Sequence, residues 1–98
     1  MNKCEDYIDD LYQILITQLD KSKFLQGFYD CINDDKEGNM NRYESANKNE
    51  SYENGYQESI KYRDKLSLHY RTLLMVYVGI KNRKEQVLYN IMRLSIEN

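Results

Sequence analysis

Residues 70–94 read YRTLLMVYVGIKNRKEQVLYNIMRL, and this stretch decides the fold class. Long or apolar side chains recur in it at alternating spacings of three and four residues, as they do along one face of an α-helix. The members of this stripe are Tyr70, Leu73, Tyr77, Ile80, Lys84, Val87, Ile91 and Leu94. Leu66 and Arg63 extend the rhythm upstream, which predicts one helix of about 40 residues. A break between Gly79 and Asn82 is the alternative, and it would give two antiparallel helices.

Further apolar residues widen this stripe, and they are Leu74, Val78, Leu88 and Met92. A wide apolar face is typical of a helix in a bundle core, whereas a two-stranded coiled coil has a narrower seam. The chain also contains no proline, the residue that most often interrupts a helix. We therefore expect an all-α fold, a small three- or four-helix bundle with a long C-terminal helix or helical hairpin.

Residues 1–32 are predicted to form a helical hairpin. The stripe of its first helix consists of Ile8, Leu11, Tyr12, Leu15, Ile16 and Leu19. The stripe of its second helix consists of Phe24, Leu25, Phe28, Tyr29 and Ile32, and Gly27 is the weak point of that helix. Asp20-Lys21-Ser22 separates the two helices, and Ser22 is a suitable N-cap.

Residues 33–55 are predicted to be a polar connection. Their apolar types are only Met40, Ala46 and two tyrosines. Such a segment is typical of a long solvated loop or of a poorly supported helix. Since 98 residues suffice for one small domain, we expect a single helical domain over 1–98, in which residues 56–98 form the long helix or helix pair.

Charge is unevenly distributed along the chain. Residues 1–59 hold 6 Lys and Arg against 13 Asp and Glu, a net charge of −7, whereas residues 60–98 hold 8 against 3, a net charge of +5. This asymmetry fits either a charged contact surface or helices that neutralise their neighbours. A purely electrostatic nucleic-acid binder would be more basic.

Neither a secretory signal nor a membrane span is recognisable. The first six residues turn acidic where a signal peptide would be basic, and the longest apolar stretch, residues 73–80, has only eight residues. We therefore expect a cytoplasmic protein. Cys4 and Cys31 would lie on the order of 10 Å apart along a hairpin, too far for a disulfide.

Oxygen-bearing side chains recur at every second residue around Gly38. With the N-terminal residue as position one, the candidate ligands are Asn33, Asp35, Glu37, Asn39, Asn41 and Glu44. Gly38 at position six and Met40 at position eight complete a pattern that resembles an EF-hand calcium loop. The resemblance implies a calcium-binding module. A solvated loop without metal is the interpretation that we favour, and no cofactor is expected.

Arg63 and His69 form a second candidate constellation. An arginine, a polar residue and a histidine a few positions on resemble the motif of HEPN ribonucleases, small helical bundles that pair these side chains across a dimer. The resemblance implies that Arg63 holds the scissile phosphate and that His69, the only histidine, transfers the proton. Ordinary surface positions on a helix are the alternative.

Residues 69–78, HYRTLLMVYV, with Arg83-Lys84 downstream, carry a third resemblance. They are similar to the core helix of GINS replication subunits, in which an arginine, paired leucines and a tyrosine precede basic residues. The resemblance implies a replication scaffold subunit. A generic bundle helix accounts for the same residues.

Tyrosine dominates the aromatic residues, with ten tyrosines beside two phenylalanines. Those on the helical stripes, namely Tyr12, Tyr29, Tyr70 and Tyr77, are expected in the core or at its boundary. A second set lies among acidic and amide residues and is predicted to face a partner. That set consists of Tyr43, Tyr52, Tyr56 and Tyr62.

These patterns favour a non-enzymatic adaptor or inhibitor that acts by protein-protein binding through its acidic, tyrosine-rich half. A domain this small gains from an intermolecular core, so we expect a homo-oligomer or a complex with a larger protein. The abundance of Asn, Lys, Ile and Tyr suggests an AT-rich genome, such as that of a phage or mobile element whose product is directed at a host defence or host enzyme complex.

Overall fold

The computed structural model describes residues 3–38 and 49–97, and all regular secondary structure in these ranges is helical. The helices are α1 (Lys3–Leu15), α2 (Lys21–Glu37), α3 (Glu50–Lys61) and α4 (Leu68–Glu97). The predicted all-α bundle with a long C-terminal helix is therefore confirmed. In the described ranges, none of the helices combines the length and apolar character needed to span a membrane.

The predicted polar connection over residues 33–55 differs from the structure at both ends. At its start, α2 continues to Glu37 and ends where Gly38 adopts a positive φ of 74°. At its end, α3 begins at Glu50, because the side chain of Asn49 accepts a hydrogen bond from the Tyr52 backbone N–H at 3.0 Å. A middle part of the predicted connection, residues 39–48, lies outside the described residues.

The long helix also begins later than predicted. Residues 62–67 form turns that separate α3 from α4, and α4 then runs unbroken through Gly79. The hydroxyl of Ser67 accepts from the Tyr70 N–H at 3.3 Å at the start of α4. The helix therefore has 30 residues, whereas about 40 were predicted, and it has no break at Gly79. At the start of α2, Asp20 takes the capping role predicted for Ser22, since its carboxylate accepts from the Lys23 N–H at 3.0 Å.

The main apolar core lies where α1, α2 and α4 meet. Its buried members are Leu11, Leu15, Phe24, Phe28, Ile32, Tyr62, Leu74 and Val78. The Tyr62 ring lies 5.4 Å from the Tyr7 ring and 6.3 Å from the Phe28 ring, measured between centroids. This packing holds the turn between α3 and α4 against the core.

Helices α2 and α3 pack backbone to backbone through two glycines. A methyl group on Gly27 would lie 2.9 Å from the carbonyl carbon of Tyr52, and one on Gly55 would lie 2.7 Å from that of Phe24. Real Cβ atoms do not approach other atoms this closely, so only glycine permits the contact. The predicted weak point of α2 is thus the position that lets α3 dock.

Candidate functional site

The tyrosines predicted to face a partner are in the interior. Tyr52, Tyr56 and Tyr62 are only 4%, 0% and 7% exposed. Side chains as buried as these cannot contact another protein in the folded chain, so the prediction that they face a partner is corrected. Tyr43, the fourth residue of that prediction, lies outside the described residues.

Acidic residues of α2 explain why the tyrosines of α3 are buried. The Tyr56 hydroxyl donates to Asp34 Oδ2 at 2.9 Å, and the Tyr52 hydroxyl donates to Asp30. Burial of the ring, supported by the hydrogen bond to Asp34, raises the pKa of Tyr56 above its ordinary value. The acidic and tyrosine-rich segments thus satisfy each other within the chain.

We expect the fold to lose stability above about pH 10 because of these tyrosines. Burial, with the charges of Glu58 and Asp10, raises the pKa of Tyr62 to about 12, so the unfolded chain releases its proton first as the pH rises. Denaturant unfolding at about pH 9 and about pH 11 measures the loss. Between these two pH values, the free energy of unfolding should fall less for the variant Tyr62→Phe than for the wild type. For Tyr77→Phe, at an exposed position, it should fall as much as for the wild type. An unchanged loss in Tyr62→Phe would contradict the assignment.

A polar cluster joins α2, α3 and α4 at Arg71, which is 2% exposed. The Arg71 guanidinium donates to Asp35 and, over 3.4 Å, to the carbonyl oxygen of Ser59. Arg63 Nε lies 3.4 Å from the same Asp35 carboxylate. Burial raises the pKa of the neighbouring Cys31 thiol, which keeps this free cysteine protonated and weakly nucleophilic. These contacts link α2, α3 and α4, and Arg71 Nε is buried without a hydrogen-bond partner among the described residues.

The calcium-loop residues do not form a loop where the structure describes them. Asn33, Asp35 and Glu37 all lie in α2, where alternate residues point to different faces of the helix. The Asp35 carboxylate forms ion pairs with Arg63 and Arg71. In the described residues, no three His, Cys, Asp or Glu side chains are grouped so that they could hold a metal ion. Asn39, Asn41 and Glu44 lie outside these ranges.

The two residues of the predicted nuclease motif have different surroundings. Arg63 lies in the turn before α4 and pairs with Asp35. His69 lies exposed in the first turn of α4, and its ring contacts Tyr70 at a centroid distance of 5.5 Å. Arg63 and His69 therefore each contact a different neighbouring residue.

A large exposed apolar surface lies on α4, along the stripe of residues spaced by three and four from Tyr70 to Leu94. Six of its members are between 44% and 56% exposed, namely Tyr70, Tyr77, Ile80, Val87, Ile91 and Leu94. We call the full set of eight residues from Tyr70 to Leu94 the outer stripe. The core contact of α4 is made by a different face, through Arg71, Leu74 and Val78. Two stripes on one helix were visible in the sequence, but they were interpreted as one wide core face.

The C-terminal part of α4 extends beyond the other helices. Every residue from 83 to 94 is exposed, and we call this segment the extension. Leu88 and Met92 there are 56% and 63% exposed. A shallow groove at the start of the extension is lined by Ile80, Arg83, Lys84, Val87 and Leu88. Exposed apolar residues this dense on a small protein are typical of an interaction site.

Charge differs between this surface and the helix next to it. The extension and Lys81 contribute four basic residues, Lys81, Arg83, Lys84 and Arg93, against Glu85 alone. Helix α1 presents exposed Asp6, Asp9 and Asp10. Lys81 Nζ lies 3.4 Å from Asp9 Oδ1 and 4.9 Å from the centroid of the Tyr12 ring. The acidic α1 therefore flanks α4 just before the basic extension begins.

Comparison of the chain with protein-family models, with curated proteins and with solved structures found no match.

Proposed function

We propose that this protein is a non-enzymatic adaptor or inhibitor that acts by protein-protein binding through the outer stripe of α4. The observation that carries the proposal is the exposure of the extension, in which Val87, Ile91 and Leu94 are each more than half exposed. Solvent-exposed apolar side chains in helical register are the binding element of an amphipathic helix that docks into a groove or against another helix.

The internal contacts support a binding role for this surface over the acidic half predicted from sequence. Asp30 and Asp34 of α2 accept hydrogen bonds from Tyr52 and Tyr56, and Asp35 is paired with Arg71. Outer-stripe side chains, by contrast, combine large apolar area with flanking cations. A few residues, among which tyrosine is enriched, contribute most of the binding energy in protein interfaces, and the outer stripe contains Tyr70 and Tyr77.

The proposal is tested by affinity capture from a cell lysate with the wild type and two matched variants. The double variant Val87→Glu, Ile91→Glu places two charges in the outer stripe. The control Gln86→Glu, Asn90→Glu places the same charges one residue earlier, about 100° around the helix. We expect wild type and control to retain one stoichiometric partner, a larger protein or protein complex, and the stripe variant to lose at least tenfold in affinity.

Circular dichroism of each variant checks that helix content is unchanged, as expected for exposed positions. Equal binding by the stripe variant and the control would contradict the role of this surface. Failure of the wild type to retain any protein would contradict the adaptor or inhibitor role itself.

A further inference from the structure

We infer that the outer stripe of α4 packs against the outer stripe of a second copy of this chain, as an antiparallel coiled coil. The inference rests on the proposed function in that it takes the same stripe as a protein-binding surface. It names a second copy as the occupant of the stripe in the protein by itself, and the larger partner would bind the stripe in place of that copy. Four observations carry it: the repeat of the stripe, the register that this repeat allows, the position of Lys84 and the charges beside α4.

The outer stripe is a heptad repeat in two interleaved sets. Tyr70, Tyr77, Lys84 and Ile91 follow each other at intervals of seven residues, and so do Leu73, Ile80, Val87 and Leu94. Two sets offset by three residues correspond to the a and d positions of a coiled coil. The repeat spans 24 residue steps, about 36 Å of helix, without an insertion.

An antiparallel pair places a positions of one helix opposite d positions of the other, and this stripe has a register in which every layer is filled. If Ile80 of one copy faces Lys84 of the other, Tyr77 faces Val87. The same offset sets Leu73 opposite Ile91, and Tyr70 opposite Leu94. All eight positions of each copy are then used.

Lys84 and the surrounding charges select this orientation. In a parallel pair the two Lys84 side chains would meet in the same core layer, which costs stability. In the antiparallel pair Lys84 faces Ile80, and its ammonium can reach solvent along its alkyl chain. The extension of one copy then lies beside the body of the other, where the exposed Asp6 and Asp10 complement its basic residues.

The same arrangement gives a reason for two apolar residues outside the heptad. Leu88 and Met92 continue the core-facing stripe of α4 past the point where it contacts α1 and α2. In the antiparallel pair, Leu88 and Met92 of one copy lie on the side of the second copy where α1 packs against α4. The dimer would thereby cover both apolar faces of the extension.

Light scattering after gel filtration tests the association. At tens of micromolar concentration we expect the wild type and the Gln86→Glu, Asn90→Glu control to have twice the 11.8 kDa mass of the chain. The Val87→Glu, Ile91→Glu variant should have the mass of one chain. A monomeric wild type, or a stripe variant that remains dimeric, would overturn the inference.

Cysteine cross-linking tests the orientation in a Cys4→Ser background, with Cys31 left in place because it is buried. A mixture of Tyr70→Cys and Leu94→Cys chains should form a disulfide-linked pair under mild oxidation, and neither variant should link to itself. Self-linking of Leu94→Cys chains would show a parallel pair and overturn the antiparallel register.

The results separate this inference from the proposed function. A monomer that captures another protein through Val87 and Ile91 would overturn the inference and leave the proposed function in place. An antiparallel dimer that captures no other protein would support the inference and overturn the adaptor or inhibitor role.

Discussion

Gly27→Ala is expected to lower the free energy of unfolding by about 3 kcal/mol, at the upper end of the range for overpacking a well-packed contact. The added methyl group would lie 2.9 Å from the carbonyl carbon of Tyr52 and 3.1 Å from the backbone nitrogen of Tyr56. Both atoms belong to the backbone of α3, so no side-chain rotation relieves the clash. Helix α3 would have to move away from α2, which would also weaken the hydrogen bonds from its tyrosines to Asp30 and Asp34.

Gly79→Ala is the matched control for this prediction. Among the residues that the structure describes, its Cβ would meet only Leu25 Cδ1, at an ordinary contact distance of 3.8 Å. Alanine favours a helix interior by about 1 kcal/mol over glycine, so this variant should be neutral or more stable. Urea unfolding followed by circular dichroism measures both variants. Similar effects of the two substitutions would contradict the close packing of α2 against α3.

Asp35→Asn is expected to cost about 3 kcal/mol, because it removes the charge that compensates a buried arginine. Arg71 is 2% exposed, and its Nε has no hydrogen-bond partner among the described residues. Asp35 is its carboxylate partner and also lies 3.4 Å from Arg63 Nε. Asparagine keeps the size of the side chain, so the measured loss reports on charge and hydrogen bonding.

A double-mutant cycle tests this explanation. Arg71→Met removes the buried charge, so the combination of Asp35→Asn with Arg71→Met should be destabilised by less than the sum of the two single variants. Asp9→Asn is the control, since the Asp9–Lys81 pair is exposed and should contribute at most about 1 kcal/mol. Strictly additive effects, or an equal loss in Asp9→Asn, would show that Arg71 does not depend on Asp35.

Local features of this protein were predictable because they depend on neighbouring residues. The apolar spacing predicted the two helices in residues 1–32, although α1 ends at Leu15 and not at Leu19. It left open a continuous helix or a break at Gly79, and the helix is continuous there, since one glycine costs a helix only about 1 kcal/mol. The break at residues 62–67 was missed, because Arg63 and Leu66 happen to continue the rhythm of α4. The turn there depends on Tyr62, whose ring is held against Tyr7 and Phe28 by the rest of the fold.

The sequence by itself determined that the chain is helical and that α4 carries apolar residues over most of its length. Only the tertiary structure decided which residues are covered. Tyr52 and Tyr56 are buried because two glycines bring α3 against α2, where acidic side chains accept from their hydroxyls. The outer stripe is exposed because α1 and α2 pack on the other face of α4. Periodicity along one helix shows which residues share a face, but coverage of that face depends on contacts between residues far apart in the chain.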